Sequence, residues 1–559
     1  MPRASGGPVG YPVAMRPTLL AALLAAACSS ALTRPAPPVQ GPAPGTASSA
    51  WWNGAVVYEV FVRSFQDSNG DGKGDLAGLI ARLDYLNDGN PASTTSLGVD
   101  AIWLMPIYPS PSYHGYDVTD YQGVNPDYGS LADLDRLVAE AHRRGIKVIL
   151  DFVPNHSSSQ HPWFQDSASS PSAAHRDWYV WQATDPGWTQ PWNACGSGSA
   201  TWHALNGAWF YGVFWSGMPD LNWRNAAVRD AMKSAAAFWL GHGVDGFRID
   251  AVRHLVENGP CDGQVDQPET HAYLKDFSAA MRAIRPDVAL VGEAWTSTSA
   301  IATYYGSTAA VPGGDELPLL FDFPLSDATV QGVKAGDASA IVSTLLAEQQ
   351  AYPQGAAAAR FLTNHDEVRA ATQLGSAARD ATAAAVLLTL PGSPFLYYGE
   401  ELGMQNGATT CSGDVCKRTP MAWDGSATGG FTTGTPWTGL APGAATANVA
   451  AEATDPASLL SRYRALIRAR KGSPALSHGD VTPLTTGNPA VLAFLRTGGG
   501  ETVLVAHNLG AAAAAAGPFA AGGTAAEALF ADPGAAAARS GGSWTVTLPA
   551  GASGAWRLR

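Results

Sequence analysis

Three acidic residues close separate apolar runs of this chain: Asp250 in VDGFRID, Glu293 in ALVGEAW and Asp366 in RFLTNHD. If these runs are parallel strands of one closed sheet, the three carboxyl groups meet at the same mouth of that sheet. Neighbouring carboxyl groups, one ionised and one protonated, commonly cleave bonds between sugars. Asn364 and His365 precede Asp366 and can hydrogen-bond sugar hydroxyls. The three acids therefore predict chemistry on a glycosidic bond.

The residues beside two of these acids predict different protonation states. Arg248 stands two positions before Asp250, and a nearby guanidinium favours the ionised carboxylate and lowers the pKa of Asp250. That state suits a nucleophile. Glu293 is flanked by Gly292, Ala294 and Trp295, an apolar setting that favours the protonated acid. That state suits proton donation to a leaving group.

Eight apolar runs alternate with helical patterns from Trp51 onward, and they must position these acids. The candidate strands are 56–65, 99–107, 146–153, 244–250, 288–295, 317–323, 359–364 and 394–400. Nearly continuous apolar strands that alternate with helices indicate a parallel sheet, and eight of them indicate a closed (β/α)8 TIM barrel. The predicted class is α/β, with a subdomain inserted after the third strand and a C-terminal antiparallel β-sandwich.

The predicted domain boundaries follow changes in composition and periodicity. About seventy residues rich in Trp, Ser, His and Gly separate the third strand from the next helix, which is too long for a structureless loop. After Gly472 the apolar residues alternate with polar ones, as in antiparallel strands. The predicted order is a signal segment (1–28), a linker (29–50), the first part of the barrel (51–156), the inserted subdomain (157–219), the second part of the barrel (220–472) and a β domain (473–559).

The N-terminal segment has the pattern of an export signal. Met15 and Arg16 precede a short apolar run that ends in three alanines and Cys28. A Cys after small residues is similar to a bacterial lipoprotein cleavage site, so we expect a lipid on Cys28 and a location in the bacterial cell envelope, periplasmic or at the cell surface. The alternative is an ordinary secretory signal and a secreted protein. If Cys28 carries a lipid, we expect that anchor to be the protein's only contact with a membrane.

The net charge bears on the class of binding partner, and the remaining cysteines bear on disulfide formation. The formal net charge of -13 argues against nucleic acid as a partner. Four cysteines remain after Cys28, and an even number in an exported protein suggests two disulfides. A bond between Cys411 and Cys416 would close a small loop and leave Cys195 with Cys261. The alternative is four free thiols.

These segments resemble the α-amylase family of retaining glycoside hydrolases, family 13, over roughly residues 51–475. The motifs are DFVPNH from Asp151, GFRIDAVRH from Gly246, GEAW from Gly292 and FLTNHD from Phe361. The resemblance implies that Asp250 is the nucleophile, Glu293 the acid/base and Asp366 the transition-state stabiliser. It also implies sugar contacts from a wider set of residues, which are Tyr116, Asp117, His156, Arg248, Arg253, His254, His365 and Arg418. In some members the counterpart of Arg418 lies near that of Asp117.

A loop after the first strand offers oxygen ligands at alternating positions, as a hard cation such as Ca²⁺ requires. The candidate ligands, which the resemblance supports, are Asp67, Asn69, Asp71, Asp75 and the carbonyl of Lys73. Gly78 stands where an EF-hand carries its bidentate Glu, so an EF-hand is not predicted. The alternative is a loop closed by its own hydrogen bonds without metal. Asn155 resembles a ligand of a second calcium in many α-amylases.

The segment Met218-Pro-Asp-Leu-Asn222 bears on the substrate. It resembles the form in the family's intermediary α-amylases, between oligo-1,6-glucosidases and neopullulanases, and Arg253-His254 resembles the pair that lines product-side subsites in α-amylases. We therefore expect endo-hydrolysis of α-1,4-glucosidic bonds in starch, glycogen or maltooligosaccharides. The alternatives are an exo-acting α-glucosidase or a cyclomaltodextrinase-like enzyme and, more distantly, a non-catalytic sugar-binding or transporter-associated barrel.

Overall fold

The computed structural model describes residues 50–559 except 309, 310, 312 and 409–412. The predicted signal segment with Cys28 and nearly all of the predicted linker lie outside the described residues. Within the described part, no helix is both long and apolar enough to cross a membrane.

Eight parallel strands close into a barrel, as the sequence predicts. In chain order they are Val57–Val60, Ala101–Leu104, Lys147–Phe152, Gly246–Ile249, Ala289–Gly292, Leu319–Phe321, Ala357–Arg360 and Ser393–Tyr397. Each strand pairs with its neighbours in sequence order, and the eighth pairs with the first through Val57 and Phe395. Their side chains are almost all buried, because helices cover the barrel outside and side chains fill it inside.

The predicted first strand, 56–65, is wrong in its second half. The strand ends at Val60, and Val62–Phe65 forms one helical turn. The chain leaves the sheet at this point, yet Val62 and Phe65 stay buried. An apolar run that is buried in both conformations does not show where its strand stops.

Helices surround the barrel and join its strands. The α-helices are Val62–Phe65, Leu76–Ala81, Leu83–Leu86, Leu131–Arg143, Pro162–Ser169, Ala226–Gly241, Pro268–Ile284, Thr298–Thr303, Phe323–Ala335, Ser339–Ala351, Ala370–Leu374, Ala377–Thr389, Val449–Glu452, Leu459–Lys471 and Pro474–His478. Many begin with a side-chain cap; Ser130 and Asp133, for example, form a capping box at the start of Leu131–Arg143. Apolar residues of many of these helices belong to the same buried cluster as the barrel strands.

The long connection after the third strand carries secondary structure of its own. It contains the helix Pro162–Ser169 and a small antiparallel sheet of Trp181–Gln182, Trp202–Leu205 and Ala208–Tyr211. A disulfide joins Cys195 to Cys261, which lies in the loop after the fourth barrel strand. This confirms one predicted pair. Cys416 is also disulfide-bonded, while Cys411, its predicted partner, lies outside the described residues.

Two antiparallel sheets follow the barrel, as predicted. The first contains Asp480–Pro483, Val491–Gly498, Glu501–Asn508, Ser553–Leu558 and Ala526–Ala531, and the second contains Ala514–Phe519, Ser543–Leu548 and Ala536–Ser540. Side chains from both sheets share one core, including Leu504 and Ala506 from the first and Trp544 and Val546 from the second. The two sheets therefore form a sandwich.

Candidate active site

The three predicted acids lie at the carboxyl ends of barrel strands. Asp250 follows the fourth strand and its amide donates to Phe152 O at 2.9 Å, and Glu293 follows the fifth strand and its amide donates to Ile249 O at 3.0 Å. Both residues thus continue the ladder of the sheet by one residue, which fixes their backbone. Asp366 lies in the loop after the seventh strand.

Arg248 joins two of these acids to a third carboxyl group. Its Nη1 lies 2.6 Å from Asp250 Oδ1 and 2.9 Å from Asp151 Oδ1, and its Nη2 lies 3.2 Å from Glu293 Oε2. The Arg248 side chain is only 1% exposed. One guanidinium at the end of the fourth strand therefore gathers carboxyl groups from the third, fourth and fifth strands. Asp151 is a residue that sequence reasoning placed in a motif but gave no role.

Arg248 lowers the pKa of Asp250, as predicted, but the expected net lowering of that pKa is wrong. Burial raises the pKa of Asp250 well above its usual range, and the negative charges of Glu293 and Asp151 raise it further against the effect of Arg248. Burial likewise raises the pKa of Asp151 to about 6, although Arg248 and His365 lower it. The guanidinium is shared among three carboxyls, so it does not act on Asp250 alone.

The surroundings of Glu293 also differ from the predicted apolar setting. Its Oε2 accepts a hydrogen bond from the amide of Ala251 at 2.9 Å and lies beside the Arg248 guanidinium. The flanking Gly292 and Ala294 are buried, but they are not what the carboxyl group contacts. The acid that would protonate a leaving group is thus held by one amide and one cation.

Asp366 is held in its ionised form by two cations. Its Oδ1 lies 2.8 Å from Arg418 Nη2, and its Oδ2 lies 3.2 Å from His365 Nε2. Burial alone would raise the pKa of Asp366, but the charges of His365, Arg418 and Arg248 lower it well below its usual range. The Tyr116 ring stacks on the His365 ring at 5.5 Å, and its hydroxyl donates to Asp151 Oδ2 at 2.9 Å. These contacts join Asp366 to the Arg248 cluster.

Comparison with known proteins agrees with this geometry. A family model described as the α-amylase catalytic domain matches residues 59–479. The chain belongs to the α-amylase family. It is thus an enzyme of glycoside hydrolase family 13, as the sequence motifs predict.

Relatives of this α-amylase family protein carry more than one activity in their names. "Alpha-amylase 3" of Dictyoglomus thermophilum is 38% identical over an alignment of 470 residues, and the match covers 82% of this chain and 85% of that protein. A "Probable alpha-glucosidase" of Rhizobium meliloti is 36% identical over an alignment of 515 residues, and the match covers 82% of this chain and 89% of that protein. The crystal structure of an α-amylase from H. orenii superposes with a TM-score of 0.79 and is 35% identical, covering 90% of this chain and 99% of that one.

His156 is the predicted sugar contact with the clearest unused bonding capacity. It is 2% exposed, and among the described residues its Nε2 has no hydrogen-bond partner. Burial lowers the pKa of His156 to about 3, so the imidazole is neutral at ordinary pH. A neutral ring nitrogen without a protein partner can exchange a hydrogen bond with a hydroxyl group.

Arg253 and His254 lie where the loop after the fourth strand meets the inserted segment. Arg253 forms a two-point ion pair with Asp266, at 2.8 and 2.6 Å. The ring of His254 packs edge-on against Trp192 and Phe214, and burial lowers the pKa of His254 to about 4. The Arg253 charge is therefore already paired, whereas the aromatic contacts place His254 beside the inserted subdomain.

Asp117 and Arg418 have protein partners in two different loops, while their predicted sugar contacts stay a prediction. The carboxylate of Asp117 accepts hydrogen bonds from the hydroxyls of Ser110, at 2.5 Å, and Ser112, so its described contacts lie in its own loop. Arg418 instead pairs with Asp366, and its Nε donates to the His365 carbonyl at 3.0 Å. In this family protein Arg418 thus orients the acid at the end of the seventh strand.

The predicted metal-binding loop is closed by its own hydrogen bonds. The Asp67 carboxylate accepts from the amides of Asn69, Gly70 and Gly72 at 2.8 to 2.9 Å. Asn69 and Asp71 each accept from the amide two residues on, at 2.8 Å. Asp75 caps the helix Leu76–Ala81 through the amide of Gly78. The donor set is all oxygen, as calcium requires, but its acids are already engaged by amides.

Asn155, the predicted ligand of a second calcium, contacts a buried acid. Its Nδ2 donates to Asp220 Oδ2 at 3.1 Å, while its Oδ1 is buried without a described hydrogen-bond partner. Burial raises the pKa of Asp220 well above its usual range. Across the described residues, no group of three or more His, Cys, Asp or Glu side chains is arranged to hold a metal ion.

Proposed function

We propose that this protein hydrolyses α-1,4-glucosidic bonds within starch, glycogen or maltooligosaccharides, with retention of the anomeric configuration. The observation that carries the proposal is the shared guanidinium. Arg248 holds Asp250 and Glu293 on one fork, and a retaining mechanism needs its two carboxyl groups close together. Asp366, ionised between His365 and Arg418, supplies the third carboxylate.

The residues suggest a sequence of two displacements. Glu293 gives its proton to the glycosidic oxygen as the ionised Asp250 attacks the anomeric carbon, which forms a glycosyl ester and releases the first sugar chain. Glu293, now a carboxylate, then removes a proton from water, and that water breaks the ester and restores Asp250. Asp366 carries a negative charge beside the site and is placed to favour a sugar ring that gains positive charge in both transition states.

Two observations support the proposed substrate preference. Endo-action on α-1,4-bonds is supported by the Met218–Asn222 segment and by the resemblance to an α-amylase at 38% identity. The second candidate function is that of an exo-acting α-glucosidase or a cyclomaltodextrinase-like enzyme. Of these two, the 36% identity to a probable α-glucosidase favours the exo-acting α-glucosidase. A purely sugar-binding barrel is disfavoured, because the three acids meet around shared cations.

Product analysis on starch, maltooligosaccharides and cyclodextrins tests the proposal. Endo-hydrolysis predicts mid-length oligosaccharides at the earliest times, and the α-anomer should form first in an NMR time course. Glucose as the sole early product would instead establish the exo-acting candidate. The matched control is Asp250→Asn, which keeps the side-chain shape and should abolish hydrolysis.

The calcium site remains a proposal for the loop of residues 67–75. What supports it is an oxygen-only donor set of three acids, one Asn and one carbonyl at alternating positions; when bound, Ca²⁺ would tie this loop together as a structural ion. Chelation should then lower the melting temperature, and Asp71→Ala should lower it by a similar amount without added chelator. A melting curve that neither change shifts would show that the loop is closed by its hydrogen bonds alone.

A further inference from the structure

Glu59 is a buried acid that none of the motifs includes. It lies in the first barrel strand, Val57–Val60, and is 1% exposed. Its neighbours across the sheet are Trp103 and Tyr397. A buried carboxylate is costly unless it is paired, and the partner here belongs to the active site. Glu59 Oε1 lies 2.6 Å from Nδ1 of His365.

The other nitrogen of the His365 ring faces the catalytic cleft. Its Nε2 lies 3.2 Å from Asp366 Oδ2 and 2.6 Å from the hydroxyl of Tyr116. A neutral imidazole carries one N–H, whereas a charged imidazolium carries two. A ring with a carboxylate at each nitrogen is therefore fully satisfied only when it is charged. Glu59, His365 and Asp366 form a continuous chain from the barrel interior to the sugar-binding mouth.

The charges around His365 agree with that chain. Burial by itself would lower the pKa of His365, but the charges of Asp366 and Glu59 raise it to about 9. The other titratable and charged groups that act on His365 or on its two partners include Tyr113, His114, Tyr116, Asp151, Arg248, Glu367, Tyr397, Lys417 and Arg418. The cations among them oppose a second positive charge, so the two flanking carboxylates are what keep the ring charged.

We propose that Glu59 is a positioning residue for glycosidic cleavage, which acts by holding Nδ1–H of His365 so that Nε2–H stays directed at Asp366. Glu59 itself touches no substrate. It fixes the orientation and charge of His365, and His365 in turn orients and balances the ionised Asp366. The proposal rests on the proposed glycosidase function and adds a residue from the first strand to it.

Glu59→Gln is the informative variant, because it keeps the shape of the side chain and removes its charge. We expect kcat to fall about 10- to 100-fold, with a much smaller change in KM, as for other outer partners of a catalytic group. The alkaline limb of the kcat profile reports the loss of the Glu293 proton together with that of His365. This limb should move to lower pH in Glu59→Gln, because His365 then loses its proton more easily. Glu59→Asp restores the charge and should return that limb most of the way.

A matched control separates positioning from simple loss of a buried charge. Glu348 is also buried and pairs with a single cation, Arg360, at 2.7 Å, but on the outer helix Ser339–Ala351. Glu348→Gln should lower the melting temperature and leave the alkaline limb where it is. If both variants move the limb equally, the effect is general destabilisation and the proposal fails.

A second readout does not depend on activity. Imidazole ¹⁵N shifts of His365, assigned with His365→Gln, should titrate near pH 9 in the unchanged protein and at lower pH in Glu59→Gln. If the protein cleaves none of the tested glucans, the proposed function fails while this titration still tests Glu59. An unchanged His365 titration in Glu59→Gln, together with unchanged kcat, would overturn the proposal.

Discussion

Arg248 has three carboxyl partners, and this sharing limits how far the cation offsets the burial of Asp250. Asp151, Asp250 and Glu293 all lie within 3.2 Å of its guanidinium. Each carboxylate gains from the cation but is repelled by the other two, and burial penalises every charge. The pKa of Asp250 is consequently raised rather than lowered. Ionising the nucleophile therefore requires a higher pH than an ordinary Asp would need.

The acidic limb of activity should report this competition. The nucleophile must be ionised, so kcat/KM should rise with pH through a value above the usual Asp range of about 4. Asp151→Asn removes one like charge and leaves Arg248 to two carboxyls, which lowers the pKa of Asp250. We expect the acidic limb to move down by about one pH unit, measured on a soluble maltooligosaccharide. An acidic limb that stays in place or moves to higher pH in Asp151→Asn would show that Asp151 does not raise the pKa of Asp250.

Sequence reasoning identified the three acids but not their electrostatic neighbours. The motifs located Asp250, Glu293 and Asp366 because each follows a recognisable apolar run. The effect of Asp151 on Asp250 depends on register between the third and fourth strands, where Asp151 pairs with Arg248. Glu59 was missed because it lies within an apolar run 306 residues from His365. Contacts at such separation follow from barrel closure and leave no local signal.

At the scale of elements, the loop after the fourth strand is fastened to the inserted subdomain at several points. Cys261 forms the disulfide with Cys195. Gln264 is fully buried, donates to Thr189 O at 2.8 Å and accepts from the hydroxyl of Tyr211 at 2.9 Å. This loop also carries Arg253 and His254, so the attachment helps to fix one wall beside the site.

Removing the Cys195–Cys261 bond should loosen that wall. The cysteines are 66 residues apart, and for a loop of that length the chain-entropy model gives about 4 kcal/mol of stabilisation. We expect Cys195→Ser/Cys261→Ser to lower the melting temperature in oxidising buffer and to raise KM more for long maltooligosaccharides than for short ones. A variant that melts like the unchanged protein would show that the hydrogen bonds of Gln264 suffice.

The strands themselves were largely predictable, and their ends were not. Six of the eight barrel strands lie entirely within the predicted runs, because buried parallel strands are nearly continuously apolar. The seventh strand begins at Ala357, two residues before its predicted run of 359–364, and ends at Arg360. The eighth strand begins one residue early, at Ser393. The prediction for the first strand is wrong from Phe61 onward, because the residues stay buried after the strand ends. The inserted sheet was not predicted strand by strand, because its strands are only two to four residues long.

At the scale of the whole molecule, the C-terminal sandwich shares the core of the barrel. Leu492, Phe494, Val503 and Val505 are buried and belong to the same apolar cluster as the barrel strands. Arg496 of the sandwich is also buried, and donates to the carbonyl of Thr389 at the end of a barrel helix. The last carbonyl groups of a helix have no hydrogen-bond donor within the helix, so Arg496 supplies one for Thr389.

Truncation after residue 479 should therefore fail to give a normal barrel, although the family match ends there. The cut exposes apolar surface that Leu492 and Phe494 cover, and leaves the carbonyl of Thr389 without the Arg496 donor. We expect poor solubility and a lower melting temperature than in the full chain. A soluble truncated protein with an unchanged melting curve would show that the sandwich is an independent appendage.

In the proposed mechanism Asp250 attacks the sugar while Glu293 serves as acid and base. Peptide mass mapping after reaction of the Glu293→Gln variant with a glucosyl fluoride tests these roles most directly, because fluoride leaves without an acid. The glucosyl ester that forms is then not hydrolysed, because the base is missing. We expect a glucosyl ester on the peptide that contains Asp250, and no ester in Asp250→Asn/Glu293→Gln. A glucosyl ester on another residue, or inverted product without any ester, would contradict this mechanism.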